Sequence, residues 1–260
     1  MEGRLVTCYH LYHSGVAVEV GRDILIFDYY NDHAEGRERS LSAGVISREM
    51  LKEKEGIYVF VSHHHRDHYN PIIFKWMEQR SGINYILSDD IQPAVSAHPA
   101  ITLLGKYQEQ RVAGIVVKTF GSTDQGVSFL VEKDGLMIFH SGDLNWWKWK
   151  DFTPAQQQKE AEDYQREVEK LVGVEIDIAF VPVDPRLAQY YFLAGDYFAN
   201  KIKPKLLIPL HFSNNYDITG KFSKKVKVAG VKVAEITKRG EKVIYQQHLP
   251  EGRADFAGKK

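Results

Sequence analysis

Residues 61–70 read Val-Ser-His-His-His-Arg-Asp-His-Tyr-Asn, directly after the apolar run Ile57-Tyr58-Val59-Phe60. His63, His65, Asp67 and His68 are all residue types that bind transition metals, and they crowd the end of what reads as a buried strand. In an extended loop, residues two apart point the same way, so His63 and His65 can share one ion. Asp67 and His68 are adjacent and diverge from that pair, close to the next helix, where they can serve a second ion beside the first. Imidazole with carboxylate suits Zn²⁺, and also Mn²⁺ or Fe²⁺. His64 alternates with its neighbours, so it is expected to point away from the ions and pack behind them.

Outward from this loop, the first strands are Leu5–Tyr12, Val16–Val20 and the unbroken apolar run Ile24–Phe27, which stops at Asp28. Ser47–Lys54 is a short helix candidate, and Asn70 with Pro71 starts another that reaches about Gln79, with asparagine as cap and proline in the first turn. Short strands are expected at 85–87 and 101–104, then longer ones at 114–120, 126–131 and 136–140, with Lys133-Asp134-Gly135 as a hairpin turn. Helices at 154–172, 187–200 and 217–229 alternate with strands at 176–181, 206–210 and 242–245. Two face-to-face sheets with helices outside would bury this pattern, and no boundary divides it, so residues 1–260 read as a single α/β domain.

The chain has 260 residues, with 34 basic and 34 acidic side chains and 43% hydrophobic residues. That supports a large core and excludes wholesale disorder. Zero net charge argues against nucleic acid as a partner and toward a small-molecule substrate. No apolar run approaches the roughly 20 residues that span a bilayer. Residues 1–15 carry no basic segment followed by an apolar one, so no signal peptide and no membrane partner are expected. Cys8 is the only cysteine, which excludes an internal disulfide and a cysteine-cluster zinc site; it reads as a small buried hydrophobe in a reducing, cytoplasmic setting. Homo-oligomerisation is left open.

The 61–70 motif resembles the signature of the metallo-β-lactamase-fold hydrolases. That resemblance implies a four-layer αββα sandwich with two metals at one edge of the sheets. It also implies further ligands just after later strands. His140-Ser141-Gly142-Asp143 follows Leu136–Phe139, and Asp143 resembles the aspartate that bridges the metals. His211 follows Leu207–Leu210 and resembles the last ligand histidine, while Asp28 resembles the aspartate that buttresses the metal loop from behind. His13-Ser14-Gly15 resembles the opening of these proteins, where His13 either lines the site or is an ordinary strand histidine. One departure stands out. These proteins usually carry another histidine between the first motif and the Gly-Asp pair, and residues 120–126 have none. Asp124 or His140 is left to replace it, with Asp124 favoured because His140 lies within the strand end.

The resemblance therefore implies a hydrolase that holds two divalent ions, zinc first, through His63, His65, Asp67, His68, Asp124, Asp143 and His211. Asp67, His68 and Asp143 are the catalytic candidates, and water activated to hydroxide is the nucleophile. The order of motifs is most similar to the branch containing L-ascorbate-6-phosphate lactonase, which implies an ester, lactone or phosphoester. A phosphodiesterase or nuclease, or a metal-binding module without activity, is the alternative. A flavin-linked di-iron oxidoreductase would be expected to carry glutamate where His65 stands. Trp146, Trp147 and Trp149 either wall a pocket or fill the core, and Arg186 either anchors an anion or pairs with a neighbouring acid.

Overall fold

The computed structural model describes residues 3–91 and 98–247. In chain order its strands are β1 (Arg4–Tyr12), β2 (Gly15–Val20), β3 (Asp23–Phe27), β4 (Ile57–Val61), β5 (Ile83–Ser88), β6 (Ile101–Leu104), β7 (Glu109–Val112), β8 (Ile115–Phe120), β9 (Ser128–Lys133), β10 (Leu136–His140), β11 (Ile178–Pro182), β12 (Leu206–Leu210), β13 (Lys232–Val233) and β14 (Lys242–Gln247). The α-helices are α1 (Arg48–Glu53), α2 (Pro154–Glu169), α3 (Leu193–Ile202) and α4 (Asp217–Lys225). The strands form two seven-stranded mixed sheets, ordered β14-β1-β2-β3-β4-β5-β6 and β13-β12-β11-β10-β9-β8-β7. Helices cover the outer faces, which gives the αββα sandwich.

The unbroken apolar runs follow from strand geometry. Side chains alternate between faces, and a strand covered on both sides needs apolar residues at every position. In β3, Leu25 and Phe27 join the core between the sheets, while Ile24 and Ile26 join the outer core under α1 and the turn at 71–78. β4 does the same, with Tyr58 and Phe60 inward and Ile57, Val59 and Val61 outward. Phe27 stacks on Phe60 at 4.4 Å and on the His140 ring at 5.0 Å, so it joins the two sheets. On the far side, Tyr164 and Val168 of α2 and Phe198 of α3 bury their side chains in the core that continues over β10 and β11. Thr153 and Gln156 close a capping box at the start of α2.

Several elements differ from the sequence reading. The segment after Asn70 is a 3-10 helix, Pro71–Glu78, in which residues three apart share a face. That winding buries Ile73 and Trp76 together. The helix expected at 187–200 is broken: a 3-10 turn, Pro185–Tyr190, precedes α3, and Ala188 lies at φ 51, ψ −120. α2 stops at Glu169 and α4 at Lys225, earlier than expected. β7 and β13 were not expected; Glu109, Gln110 and Arg111 of β7 are exposed and lack an apolar face to announce a strand. His64 does not pack behind the loop. It is exposed, and its ring lies 2.9 Å from Asp90 Oδ2. Cys8 is buried, and burial pushes its thiol up. Among the described residues, no helix is long and apolar enough to cross a membrane.

Truncating Phe60 removes its contact with Phe129 of the other sheet (5.3 Å between ring centroids) and the stack under Phe27. Phe60→Ala should cost about 3–5 kcal/mol in urea unfolding, whereas Leu5→Ala, at a side chain 61% exposed, should cost little.

Candidate metal centre

β3, β4, β10, β11 and β12 are followed within three residues by Asp28, the loop from Ser62, Asp143, Asp184 and His211 respectively. β3 and β4 run parallel, as do β10, β11 and β12, so their C-terminal ends gather polar side chains at one edge of the sandwich. His13 follows β1 and joins them, tied in by a hydrogen bond from the His211 backbone N–H to the His13 carbonyl (3.0 Å).

Two groups of ligand atoms converge there. His63, His65, Asp124 and Asp143 form one, and His13, Asp67, His68 and His211 form the other; within each, the atoms lie within 4.8 Å of one another. Asp143 joins the two. Its Oδ2 lies 3.7 Å from His63 Nε2, and its Oδ1 lies 3.1 Å from His68 Nε2 and 3.2 Å from His211 Nε2. These short separations are not hydrogen bonds: Asp143 Oδ1, His13 Nε2, His68 Nε2 and His211 Nε2 are all buried without a hydrogen-bond partner. Buried polar atoms are almost always paired. Four unpaired ligand atoms gathered at one point are what a cation would satisfy, and the mixed imidazole–carboxylate set suits a divalent transition metal.

Groups behind the cluster set which nitrogen faces it. Asp28 accepts from the Ser62 backbone N–H (2.8 Å), from Ser62 Oγ (2.7 Å) and from His68 Nδ1 (2.8 Å). With Nδ1 protonated, His68 turns the lone pair of Nε2 inward. Ser62 Oγ, having given its proton to Asp28, accepts from His63 Nδ1 at 3.0 Å, with the same result for His63. His211 Nδ1 donates to Asp184 Oδ2 (3.1 Å), and Ser213 Oγ lies 3.0 Å from His13 Nδ1. Two glycines hold Ser62 in place. Gly126 and Gly142 have φ of 66° and 51°, and a Cβ on Gly126 would lie 2.0 Å from the Ser62 carbonyl. Asp28, His13 and His211 also carry positive φ, a region that aspartate and histidine enter more readily than most residues.

The choice between Asp124 and His140 rests on lone pairs. His140 Nε2 donates to the Ser14 carbonyl (2.9 Å) and its Nδ1 accepts from the Gly142 N–H (3.2 Å), so neither nitrogen is free for an ion. Asp124 Oδ2 instead lies 3.5 Å from His65 Nδ1, in the cluster and exposed. Trp147 stands against His211 (5.7 Å between ring centroids) and stacks on Trp149, whereas Trp146 packs on Tyr164 and Tyr197 in the core. His10 is buried against Phe212. Asp184 carries no metal-binding motif; its only sequence signal is its place after a strand ahead of His211.

The charges are strongly coupled. Burial opposes ionisation of Asp143, but His68 and His211 outweigh it and hold the carboxyl far below its usual range. Burial likewise opposes charge on His68, but Asp143 and Asp28 raise it well above normal. His211 rises to about 8, where Asp143 and Asp184 overcome burial. His63 and His13 fall to about 4 through burial and their histidine neighbours.

No protein-family model matches this chain, and no curated protein is significantly similar to it. Solved structures do resemble it. Igni18, a metallo hydrolase from Ignicoccus hospitalis, is 17% identical and matches over 93% of this chain and 98% of its own, with a TM-score of 0.63. The metallo-β-lactamase fold protein YhfI from Bacillus subtilis is 12% identical over 94% and 99%, with a TM-score of 0.54. An isothiocyanate hydrolase from Delia radicum gut bacteria is 13% identical over 92% and 99%, with a TM-score of 0.53. The chain has the metallo-β-lactamase fold.

With its pKa raised to about 8, His211 is largely protonated at pH 7 in the metal-free centre, and a bound ion needs it neutral. Zinc titrated into metal-free protein at pH 7 should release about one proton from His211, read by calorimetry in buffers of different ionisation enthalpy, and affinity should rise with pH through about 8. The metal-free fold should respond in the opposite sense. Stability that His211 contributes below its unfolded value of 6.5 is lost as pH rises through about 8.

Proposed function

We propose that this chain is a metal-dependent hydrolase that holds two divalent ions, zinc first, in the paired clusters around Asp143. The observation that carries this reading is the meeting, at one carboxylate, of four buried, unpaired ligand atoms around Asp143 Oδ1 and a second ligand group of His63, His65 and Asp124. His63, His65, Asp124 and Asp143 would hold one ion; His68, Asp67, His211 and Asp143, with His13 added, would hold the other. Bound there, two ions supply Lewis-acid charge that polarises the bond to be cut and lowers the pKa of water.

The chain's own residues fix the rest. Asp28, Asp184 and Ser62 present the imidazoles in one tautomer, so the centre needs little rearrangement to load. Asp67 is the half-exposed carboxylate at the mouth. His13, whose Nε2 lies 3.5 Å from Asp67 Oδ2, holds that carboxyl below the usual range, so it is ionised at neutral pH. So weak a base orients an attacking water rather than taking its proton outright. Trp147 and Trp149 line one side of the cleft.

The substrate we favour is a small ester, lactone or phosphoester, as in the lactonase-like branch, handled in the cytoplasm. The cleft supports a small molecule: it has two lobes of about 530 and 350 Å³, within the usual range for such sites. A phosphodiester is the second reading, since paired metal ions serve that chemistry too. The likeness to an isothiocyanate hydrolase adds a small neutral electrophile to the panel worth testing.

Elemental analysis of protein reconstituted with zinc, manganese or iron tests the centre. Wild type should hold two ions per chain (about one per cluster). Asp143→Ala should lose both, together with hydrolysis of lactones and aryl esters. Asp124→Ala should keep one, and His140→Gln, if folded by circular dichroism, should keep two. Two ions held at undiminished affinity by Asp124→Ala would refute the assignment.

A further inference from the structure

Arg186 belongs to neither cluster, yet it lines both lobes of the cleft. It lies on the 3-10 turn that replaces the start of the expected helix. Its Nε lies 3.0 Å from each oxygen of Asp184, and its Nη2 donates to Asp184 Oδ2 at 2.6 Å. The guanidinium carbon sits 5.6 Å from the centre of the Trp149 ring. One edge of the fork is thus clamped and one face is covered. The side chain remains 55% exposed, and among the described residues no hydrogen bond engages Nη1.

A purely structural ion pair does not account for this placement. Asp184 already accepts from His211, which is enough to orient that ring. The Arg186 side chain joins an acid that already accepts from His211 and from the Arg186 backbone N–H, with Nη2 also 3.3 Å from His211 Nδ1, and this holds a long, flexible side chain still at the junction of two open lobes. Clamping removes the rotamer freedom that an arginine usually loses on gripping a ligand, so the free edge is prepared to bind. The two lobes also differ in charge. In the smaller lobe, Glu160 stands near Asp124 and belongs to no cluster or ion pair described above. In the larger lobe the only acids are Asp67, a cluster member, and Asp184, the partner of Arg186. Its other polar lining includes Tyr30, Asn214 and Asn215.

We propose that Arg186 anchors an anionic oxyacid group of the substrate, a carboxylate or phosphate, in the larger lobe. The group sits a few bonds from the atom attacked at the metal centre. The part of the substrate that enters the smaller lobe meets Trp147, Trp149, Phe152 and Glu160, so it is flat or apolar and carries no negative charge. The substrate is therefore a small organic acid whose cleavable bond lies inside the molecule, between an anionic end and an uncharged one. This inference rests on the metal-centre reading above, which supplies the point of attack.

Equilibrium binding to the zinc-loaded protein, followed by tryptophan fluorescence, tests it without a known substrate. The probes are acetate, succinate and 3-phosphonopropionate. Acetate can meet the ions alone, while the other two carry a second anionic group that reaches Arg186. In wild type, succinate or 3-phosphonopropionate should bind at least ~10-fold tighter than acetate, the size expected of a charge-assisted, forked contact. In Arg186→Met and Arg186→Gln that ratio should fall to near one, and Arg186→Lys should keep part of it. Which of the two longer probes gains more identifies the oxyacid. A ratio that is the same in wild type and Arg186→Met overturns the proposal. Metal content and the metal dependence of acetate binding are read on the same samples, so failure of the centre and failure of the anchor are seen separately.

Discussion

Asp28 sits at the end of β3 with no exposed surface and with its backbone at φ 46°. A carboxylate sealed from water is expensive unless every lone pair is used. Here the Ser62 N–H, the Ser62 hydroxyl and His68 Nδ1 all donate to it. Burial works against its ionisation, and His140 and His68 outweigh that burial and keep it charged. That requirement then propagates. Ser62 must stay where Gly126 and Gly142 leave it room, the loop after β4 must leave Ser62 in one direction, and His68 must present Nε2 to the cluster. The geometry of the site is thus a by-product of satisfying one buried charge.

Much of this was legible in the sequence, for identifiable reasons. Strands such as β3 and β4 are apolar at every position because alternate residues feed two different cores, and such runs are hard to mistake. The x-His-x-His-x-Asp-His spacing divides into a pair and a diverging pair because alternation is a property of extended backbone. What could not be read depends on partners distant in the chain. His13 lies 4.0 Å from the His211 ring, a contact between opposite sheets that no local pattern encodes. The contest between Asp124 and His140 turns on whether two ring nitrogens are already occupied, by the Ser14 carbonyl and the Gly142 N–H. Composition carries no trace of that. The helix expected across 187–200 fails at Ala188 because Asp184 and Pro185 start a tight turn of their own.

The division of labour along the edge follows from topology. Strand ends carry the side chains that converge on the centre, and these are locked by hydrogen bonds from behind. The turn at Pro185–Tyr190 and the residues after Asp143 carry Arg186, Trp147 and Trp149, which line the cleft. Turns can change without disturbing the sheets, but Arg186 is tied through Asp184 to His211, so the cleft lining and the centre meet at that one acid.

The clusters also straddle the sandwich. His63, His65, Asp67, His68 and His13 hang from the sheet that contains β1 and β4, whereas Asp124, Asp143 and His211 hang from the sheet that contains β8, β10 and β12. Each cluster draws on both sheets. An ion in either would act as a rivet across the gap between the layers, and separating the sheets would require giving it up. Its binding free energy would then be counted as cohesion of the fold. Resistance to unfolding in such a protein becomes a property of its surroundings as much as of its sequence, rising and falling with the free metal available to it.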